Sequence, residues 1–347
     1  MRETIFIGLA AAVISLALAA TSVSANDECG QDRDFAENRK CFLLQFPCLG
    51  LYFGIDHAPD YPRALQCFES DRAWSFVALM YLNGEGAPRN LQRAKAALQT
   101  GLKEDPNSIT YHRLGEALRA CERNAARSCR RVDYCNDLAI TNFDLEVCAS
   151  VEQISAESAL SRKIARVRSK LDPIDRPTFD QTVGAFKTYQ LADARRAAEA
   201  AIETPARSLY GTYQGAYIRD NFLKLVAETM QARELKPVRA GVVRMADEKL
   251  EDLYRLDIKK NIGNWEKEAA DKAWRDRYGA VIADYRRITK ESQLSWVKFR
   301  DLSAELAQSL YRDQAKKFDP AMSMKLAMTK LRIAELQYDP MAPNAAQ

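Results

Sequence analysis

Eight cysteines give this chain two options for chemistry, metal binding or disulfide formation, and all of them lie within its first 150 residues. Structural zinc sites usually take cysteines in closely spaced pairs, and no such pair occurs here. Only His57 and His112 could assist as further metal ligands. An even cysteine count in an exported chain favours disulfides, with the pairing left open. The cysteines form two groups of four: Cys29, Cys41, Cys48, Cys67, and Cys121, Cys129, Cys135, Cys148.

The first 25 residues have the pattern of an export signal. Arg2 precedes an uncharged apolar stretch from Ile5 to Ala20, and Val23-Ser24-Ala25 matches the small-residue cleavage site of signal peptidase. An uncleaved membrane anchor is the alternative, but the Ala-rich stretch and the position of the small residues favour cleavage after Ala25. The prediction is a bacterial periplasmic or secreted protein. Disulfides are stable in such an oxidising compartment.

Motifs typical of enzymes do not occur in this sequence. It contains no G-x-S-x-G elbow, no phosphate-binding glycine loop and no H-E-x-x-H pair. His57 lies in a loop and His112 begins a predicted helix, so each is interpreted as a surface or capping histidine rather than a catalytic base. The sequence therefore predicts a protein that is not an enzyme, with no cofactor, no metal and no catalytic residue.

Composition and charge limit the remaining classes. A chain of 347 residues with 47% hydrophobic and 28% charged residues is typical of an ordinary folded protein of about two domains. The net charge of +4 comes from interleaved acids and bases, so no basic face for nucleic acid is expected. After the signal, no apolar run is long enough to span a membrane. Because strand signals are nearly absent, the predicted class is all-α.

A helical hairpin is predicted between residues 73 and 101, within a cysteine-rich domain of residues 26–150. Two glycines can end its first helix, and an asparagine can cap the second. This segment resembles the Sel-one-like repeat, a relative of the tetratricopeptide repeat, although Ala87 replaces its usual valine and Asn90 its usual aspartate. The resemblance rests on Tyr81, Gly84, Gly86, Asn90, Ala94 and Gly101. Two alternatives stay open: either a second unit starts at Tyr111, or the hairpin stands alone, although solenoids normally need several stacked units.

The cysteine-free part, from residue 151, reads as an antiparallel helical bundle. An apolar face from Val151 to Leu171 precedes predicted helices over residues 176–203 and 207–233. A further helix is expected to end at Gly263-Asn264, and another carries an apolar seam for packing against it. That seam consists of Trp274, Tyr278, Val281, Tyr285 and Ile288. A last helix follows Pro320, and residues 339–347 are expected to be a disordered tail.

A second resemblance concerns residues 241–338. Gln293-x-x-Trp296-x-x-Phe299-Arg300-Asp301, followed by Thr329-x-x-Arg332-x-x-x-Leu336, resembles the lysozyme inhibitor LprI-like family of exported bacterial proteins. That family is a small helical domain, so the resemblance implies helices here and a protein partner, such as a lysozyme. Its members usually carry two cysteines at places that hold Ala304 and Met324 to Met328 here, so the family's disulfide is missing.

The motif residues are interpreted as structural. Trp296 and Phe299 lie three residues apart on one helix face and are expected in the core. Arg300 and Asp301 are adjacent and are not expected to pair with each other. Arg300 is instead expected to reach the last helix near Glu335 and lock the two helices together. The region 151–240 could be a degenerate copy of the following domain, since Phe179, Phe186 and Tyr189 lie about 110 residues upstream of the motif.

Two functional hypotheses follow, both of them binding functions. The first is an inhibitor that protects the cell wall by blocking a lysozyme, with an exposed loop entering the acidic cleft of the enzyme. The second is a periplasmic scaffold that holds other proteins through the Sel-one-like hairpin. Residues 244–347 contain 20 Lys and Arg against 17 Asp and Glu, so this region would not attract a basic lysozyme over long distances.

Overall fold

The computed structural model describes residues 46–338 except 56–57, 124–128, 203–206, 233–234 and 272–273. The predicted export signal, Cys29, Cys41, His57 and the predicted tail at 339–347 lie outside the described residues. His112 is exposed, and its Nε2 lies 3.1 Å from the carbonyl oxygen of Pro106 just before the helix that contains it, as expected of a surface or capping residue.

The described residues form helices and connecting turns without a strand, which confirms the all-α prediction. Their α-helices are α1 (Pro47–Phe53), α2 (Tyr61–Ser70), α3 (Trp74–Asn83), α4 (Leu91–Glu104), α5 (Ile109–Arg123), α6 (Asn142–Lys170), α7 (Arg176–Ala200), α8 (Arg207–Ala232), α9 (Ala240–Glu268), α10 (Arg275–Leu310) and α11 (Pro320–Gln337). A short π-helical turn, Tyr134–Leu138, lies between α5 and α6. Among the residues described, no helix combines the length and apolar character needed to cross a bilayer.

Helices α1 to α5 and the start of α6 surround one hydrophobic cluster, stapled by disulfides. The described bridges are Cys48–Cys67, Cys121–Cys129 and Cys135–Cys148. Each bridge stays within one group of four cysteines. Disulfides are therefore confirmed for six of the eight cysteines, and these six sulfurs are not available as thiolate ligands for a metal. Cys48 and Cys67 lie close to the Asp71 carboxylate, but both sulfurs are already bonded to each other.

The predicted hairpin between residues 73 and 101 is formed by α3 and α4, and its turn has the expected chemistry. Gly84 ends α3 with φ +78°, and Asn90 caps α4 by accepting a hydrogen bond from the Arg93 backbone N–H. Gly86, at φ +77°, lies so close to α2 that a Cβ there would be 2.4 Å from the Tyr61 carbonyl oxygen. Both glycines are thus required by backbone conformation or by space.

The same turn is joined to the disulfide-stapled segment that follows α5. The buried Glu85 carboxylate accepts hydrogen bonds from Arg131 (2.8 Å) and from the Tyr52 hydroxyl (3.1 Å). The Asn83 amide bonds both the backbone N–H and the carbonyl oxygen of Val132. Polar side chains of the repeat-like turn therefore fix the segment between two disulfides against the hairpin.

Helix α6 contributes to two hydrophobic clusters. A capping box between Thr141 and Asp144 starts it, nine residues before the expected apolar face. Its first turns pack in the N-terminal cluster through Val147, and Leu160 and Val167 belong to the cluster of the C-terminal bundle. The expected boundary between residues 150 and 151 thus falls inside a continuous helix.

Helices α7 to α11 form the bundle, with α10 packed against α7, α9 and α11. The ends of α7, α8 and α11 agree closely with the sequence prediction. The predicted break at Gly263-Asn264 is wrong, because α9 continues to Glu268. An interior glycine costs a helix about 1 kcal/mol, and burial of the neighbouring Ile262 and Trp265 against Tyr285 offsets that cost.

Candidate functional site

A buried network of charges lies at the centre of the bundle, around the Arg332 guanidinium of α11. Arg332 is fully buried and donates hydrogen bonds to the hydroxyls of Tyr254 on α9 (2.8 Å) and Tyr189 on α7 (2.6 Å). It also donates to Asp193 of α7 at 2.6 Å and to Ser292 of α10 at 3.2 Å. One side chain therefore bonds α7, α9 and α10 to α11.

Asp193 is the second centre of this network. Its carboxylate has no solvent exposure and accepts hydrogen bonds from Arg332, from Arg196 (2.7 Å), from Ser292 (2.7 Å) and from Gln214 of α8 (2.9 Å). Burial alone would raise the pKa of Asp193, but the adjacent Arg196 and Arg332 charges hold this pKa well below its usual range. Asp193 is therefore ionised and satisfied on both oxygens.

The network extends towards the surface through Arg196. Its Nη1 donates to Asp257 of α9 at 2.8 Å. Asp257 also accepts from the Tyr285 hydroxyl (3.0 Å) and from the Asn261 amide (3.0 Å). Two guanidiniums and three carboxylates take part in total, because Glu335 on α11 lies 3.5 Å from Arg332 and accepts a hydrogen bond from Tyr189.

Glu335 is a buried carboxyl group that shares its nearby cation, Arg332, with Asp193. Burial raises its pKa from 4.5 to about 7, although the Arg332 charge and the Tyr189 hydroxyl act in the opposite direction. Because the pKa is higher in the folded state than in the unfolded state, the contribution of Glu335 to stability is complete below pH 4.5 and is lost as the pH rises through 7.

Glu335→Gln is expected to flatten the pH dependence of stability. The parent chain should lose about 3 kcal/mol of stability between acidic and mildly alkaline pH, as such a pKa shift implies. Glutamine mimics the neutral acid, so the variant should not show this loss. Urea unfolding of both proteins across this range measures the difference. Glu305→Gln, at an exposed position of α10, is the matched control. Parallel stability curves for the parent chain and Glu335→Gln would contradict the assignment.

The structure places the aromatic motif residues in the core and Arg300 beside them. Trp296 and Phe299 are buried, and Phe299 contacts Phe186 and Tyr189 of α7. Arg300 lies over the Trp296 ring, with its guanidinium carbon 4.9 Å from the ring centroid. The expected pairing of Arg300 with Glu335 is wrong, because Arg332, one helical turn from Glu335, takes that position.

Arg300 pairs instead with two aspartates at the edge of the bundle. Its Nη1 lies 3.6 Å from Asp247 of α9, and its Nε donates to Asp301 at 3.2 Å. The expectation that Arg300 and Asp301 do not pair is thus wrong, because the long arginine side chain folds back along the helix. Asp301 is also 3.4 Å from Lys325, and the buried Thr329 hydroxyl donates to Asp247 at 3.0 Å. The motif joins α9, α10 and α11.

The remaining motif positions complete this packing. Leu336 is partly buried against the bundle cluster, which also contains Met324, Met328 and Ala304. Methionine adapts its flexible side chain to irregular spaces, so Met324 and Met328 can fill the space between these helices.

Sequence reasoning missed Asp193, Arg196 and Asp257. One signal was available: Asp193 and Arg196 stand three residues apart on an alanine-rich helix, where charged residues among small apolar ones imply a buried pair. The network is buried and its charged groups are hydrogen-bonded to one another. Such a network is suited to holding helices together rather than to reacting with a substrate.

A surface feature lies at the far end of α9 and α10. Beyond Asp257 these helices form an arm, held by a smaller cluster to which Ala200 and Ile202 contribute at the end of α7. Trp274, expected in the apolar seam, is instead 44% exposed at the start of α10, because α10 only begins there. Farther along the seam, Tyr285 and Ile288 are buried as predicted.

The arm tip combines exposed aromatic and cationic groups. The Arg277 guanidinium lies 5.5 Å from the Trp274 ring centroid and 5.8 Å from that of Tyr278. Arg275 beside them is exposed, and neither arginine forms an ion pair with a described residue. We refer to Trp274, Arg275, Arg277 and Tyr278 as the arm tip. Exposed aromatic and arginine side chains are the types that dominate binding at protein interfaces.

No family model, no curated protein and no solved structure matches the chain.

Proposed function

We propose that this protein is an exported, non-enzymatic binding protein that inhibits a lysozyme-like enzyme through its arm tip. The observation that carries the proposal is the exposed group of Trp274, Arg275 and Arg277 at the end of the arm. The resemblance of residues 241–338 to the LprI-like family supports the same class of partner. The pattern of residues 1–25 supports a periplasmic or secreted location.

The tip chemistry suits an enzyme cleft that binds sugars between two carboxylates. Glycoside hydrolases of this kind place a pair of Asp or Glu residues about the bond that they cleave. Arg275 and Arg277 could pair with such carboxylates, and Trp274 could occupy a position where a sugar ring stacks. The motif around Trp296 would then position α10, which bears the tip, without touching the partner.

The net charge of the domain indicates that binding depends on direct contacts rather than on long-range electrostatic attraction. Its small positive excess would not speed the approach of a basic enzyme, so affinity has to come from groups that meet the partner directly. Such a complex should form slowly. Its affinity should depend on salt concentration only through the charged contacts of the tip itself. Truncation of the tip side chains should therefore mainly raise the dissociation rate.

Trp274→Ala/Arg277→Ala is expected to weaken inhibition by at least about tenfold, since truncation of a single interface tryptophan or arginine often has such an effect. Clearing of cell-wall suspensions by several lysozymes, with and without the mature protein, measures this. Arg255→Ala/Leu256→Ala is the matched control, because it removes an exposed arginine and an exposed apolar side chain from α9 below the tip. If the parent protein slows no lysozyme at about tenfold molar excess, the proposal is lost.

A scaffold function is the second candidate, and the stacking of α1 to α5 favours it. Successive helices from α1 to α5 pack pairwise, in the manner of a repeat array. A Sel-one-like unit would then offer the exposed face of α4 to another envelope protein, since α3 is buried inside the cluster. Cross-linking in the native envelope tests this, and recovery of no specific partner would count against it.

A further inference from the structure

A cleft opens on the surface where α7, α8, α9 and α11 meet, at the base of the arm. It has a volume of about 240 Å³ and reaches the outer part of the buried charge network. Space exists there because α7 ends in small side chains, Ala197, Ala200 and Ala201, where bulkier residues would fill the gap between helices.

The inner wall of the cleft is polar and rigid. Arg196 and Gln214 line it, and both are buried side chains held by hydrogen bonds to Asp193. The Asp257 carboxylate is held by Arg196, Tyr285 and Asn261. Groups fixed in this way lose little freedom when a ligand binds, which is the property of a preorganised site.

The cation of the cleft that is open to a ligand is Lys260. Arg196 also lines the cleft, but the carboxylates of Asp193 and Asp257 both pair with it. Asp257 is already paired with Arg196, whereas Lys260 is exposed and forms no salt bridge with a described residue. The Lys260 ammonium is therefore available to a carboxylate that enters from solvent.

Two tyrosines give the cleft flat apolar surfaces. Tyr210 of α8 and Tyr338 at the end of α11 line it together with Leu336. The Tyr338 ring is stacked on Tyr217, with the ring centroids 4.1 Å apart, so its position is fixed. Aromatic side chains beside oriented polar groups can orient a small molecule in such a site. The volume lies below the roughly 300 Å³ of the smallest drug-sized pockets, which limits the ligand to about one ring.

We propose that this cleft binds a small carboxylate ligand of about one-ring size, with the carboxylate at Lys260 and the remainder between Tyr210 and Tyr338. The carboxylate could belong to a sugar acid or to the C-terminus of a short peptide. This site is separate from the arm tip and goes beyond the proposed inhibition.

Titration of the mature protein with small probes, followed by NMR, tests the proposal and separates the two sources. N-acetylmuramic acid offers a carboxylate on an amino sugar, and N-acetylglucosamine is its counterpart without the acid. Acetyl-D-alanyl-D-alanine offers a peptide carboxylate. We expect at least one of the two acids to bind saturably, and N-acetylglucosamine to bind at least about tenfold more weakly, as the loss of a charge-assisted bond implies.

Lys260→Gln is expected to weaken binding of the acid by about tenfold or more, whereas Lys259→Gln, at an exposed neighbour outside the cleft, should leave it unchanged. Ala200→Leu should block binding by filling the cleft without altering any charge, with thermal unfolding used to verify that this variant is folded. The proposal is overturned if neither acid binds saturably, if the uncharged sugar binds equally well, or if both lysine variants behave alike. These titrations contain no lysozyme, so their failure leaves the proposed function untouched.

Discussion

Replacement of Asp193 with asparagine is expected to destabilise the bundle by about 4 kcal/mol, the cost typical of removing one partner from a buried ion pair. Asp193 faces both Arg332 and Arg196 without solvent exposure. Asparagine would leave two guanidiniums in the core with one fewer counter-charge, and its amide group would turn N–H donors towards other donors. Urea unfolding followed by circular dichroism measures the loss.

The same helix provides a control. Asp180 of α7 pairs with Arg168 of α6 at 2.8 Å, but both side chains are close to half exposed. Water solvates both charges there, so Asp180→Asn should leave the unfolding midpoint almost unchanged. If the two variants lose the same stability, the buried network is not what fixes α7 against α11.

Reduction of the disulfides is expected to unfold α1 to α5 while the C-terminal bundle stays folded. Each bridge closes a short loop, and loops of this length contribute about 2 to 4 kcal/mol apiece. Together the three described bridges are worth about as much as the whole stability of a typical domain. The bundle is held by packing and by its charge network, and its described helices contain no cysteine after Cys148.

Hydrogen exchange with mass spectrometry, with and without reductant, would locate the loss. Protection should disappear from α1 to α5 and from α6 up to about Ile154, where its contacts with the N-terminal cluster end. Protection should persist from Leu160 onwards, because that part of α6 packs in the bundle cluster. Loss of protection in both halves at the same reductant concentration would contradict the prediction and would indicate that α6 unfolds as one unit.

The helices were most predictable where proline or a capping residue limits them. Pro177 and Pro320 stand near helix starts, and a missing N–H is tolerated only there. Gly263 misled the prediction because a glycine inside a helix is only a weak signal. Contacts of Ile262 and Trp265 decide the local structure, and those contacts come from α10.

The site was less predictable than the fold, because its partners are far apart in the chain. Burial of Trp296 and Phe299 follows from their spacing alone. Asp193 forms hydrogen bonds with residues of α8, α10 and α11. The residue pattern of α7 alone does not indicate which residues of the other helices will contact Asp193. Arg300 illustrates the same difficulty: the sequence offers Glu335, Asp247 and Asp301 as partners, and only the packing of three helices selects two of them.

Helix α6 also sets a distance. Its 29 residues span about 43 Å at the rise of an α-helix, and no flexible linker interrupts them between the disulfide-stapled cluster and the bundle. Binding surfaces on the two domains would therefore lie at a fixed distance from each other. A flexible linker would instead allow a broad range of distances. For a partner with two binding sites, the effective concentration would then depend on how well the distance between those sites matches the length of α6. Inserting or deleting whole turns in α6 would change the avidity without altering either binding surface.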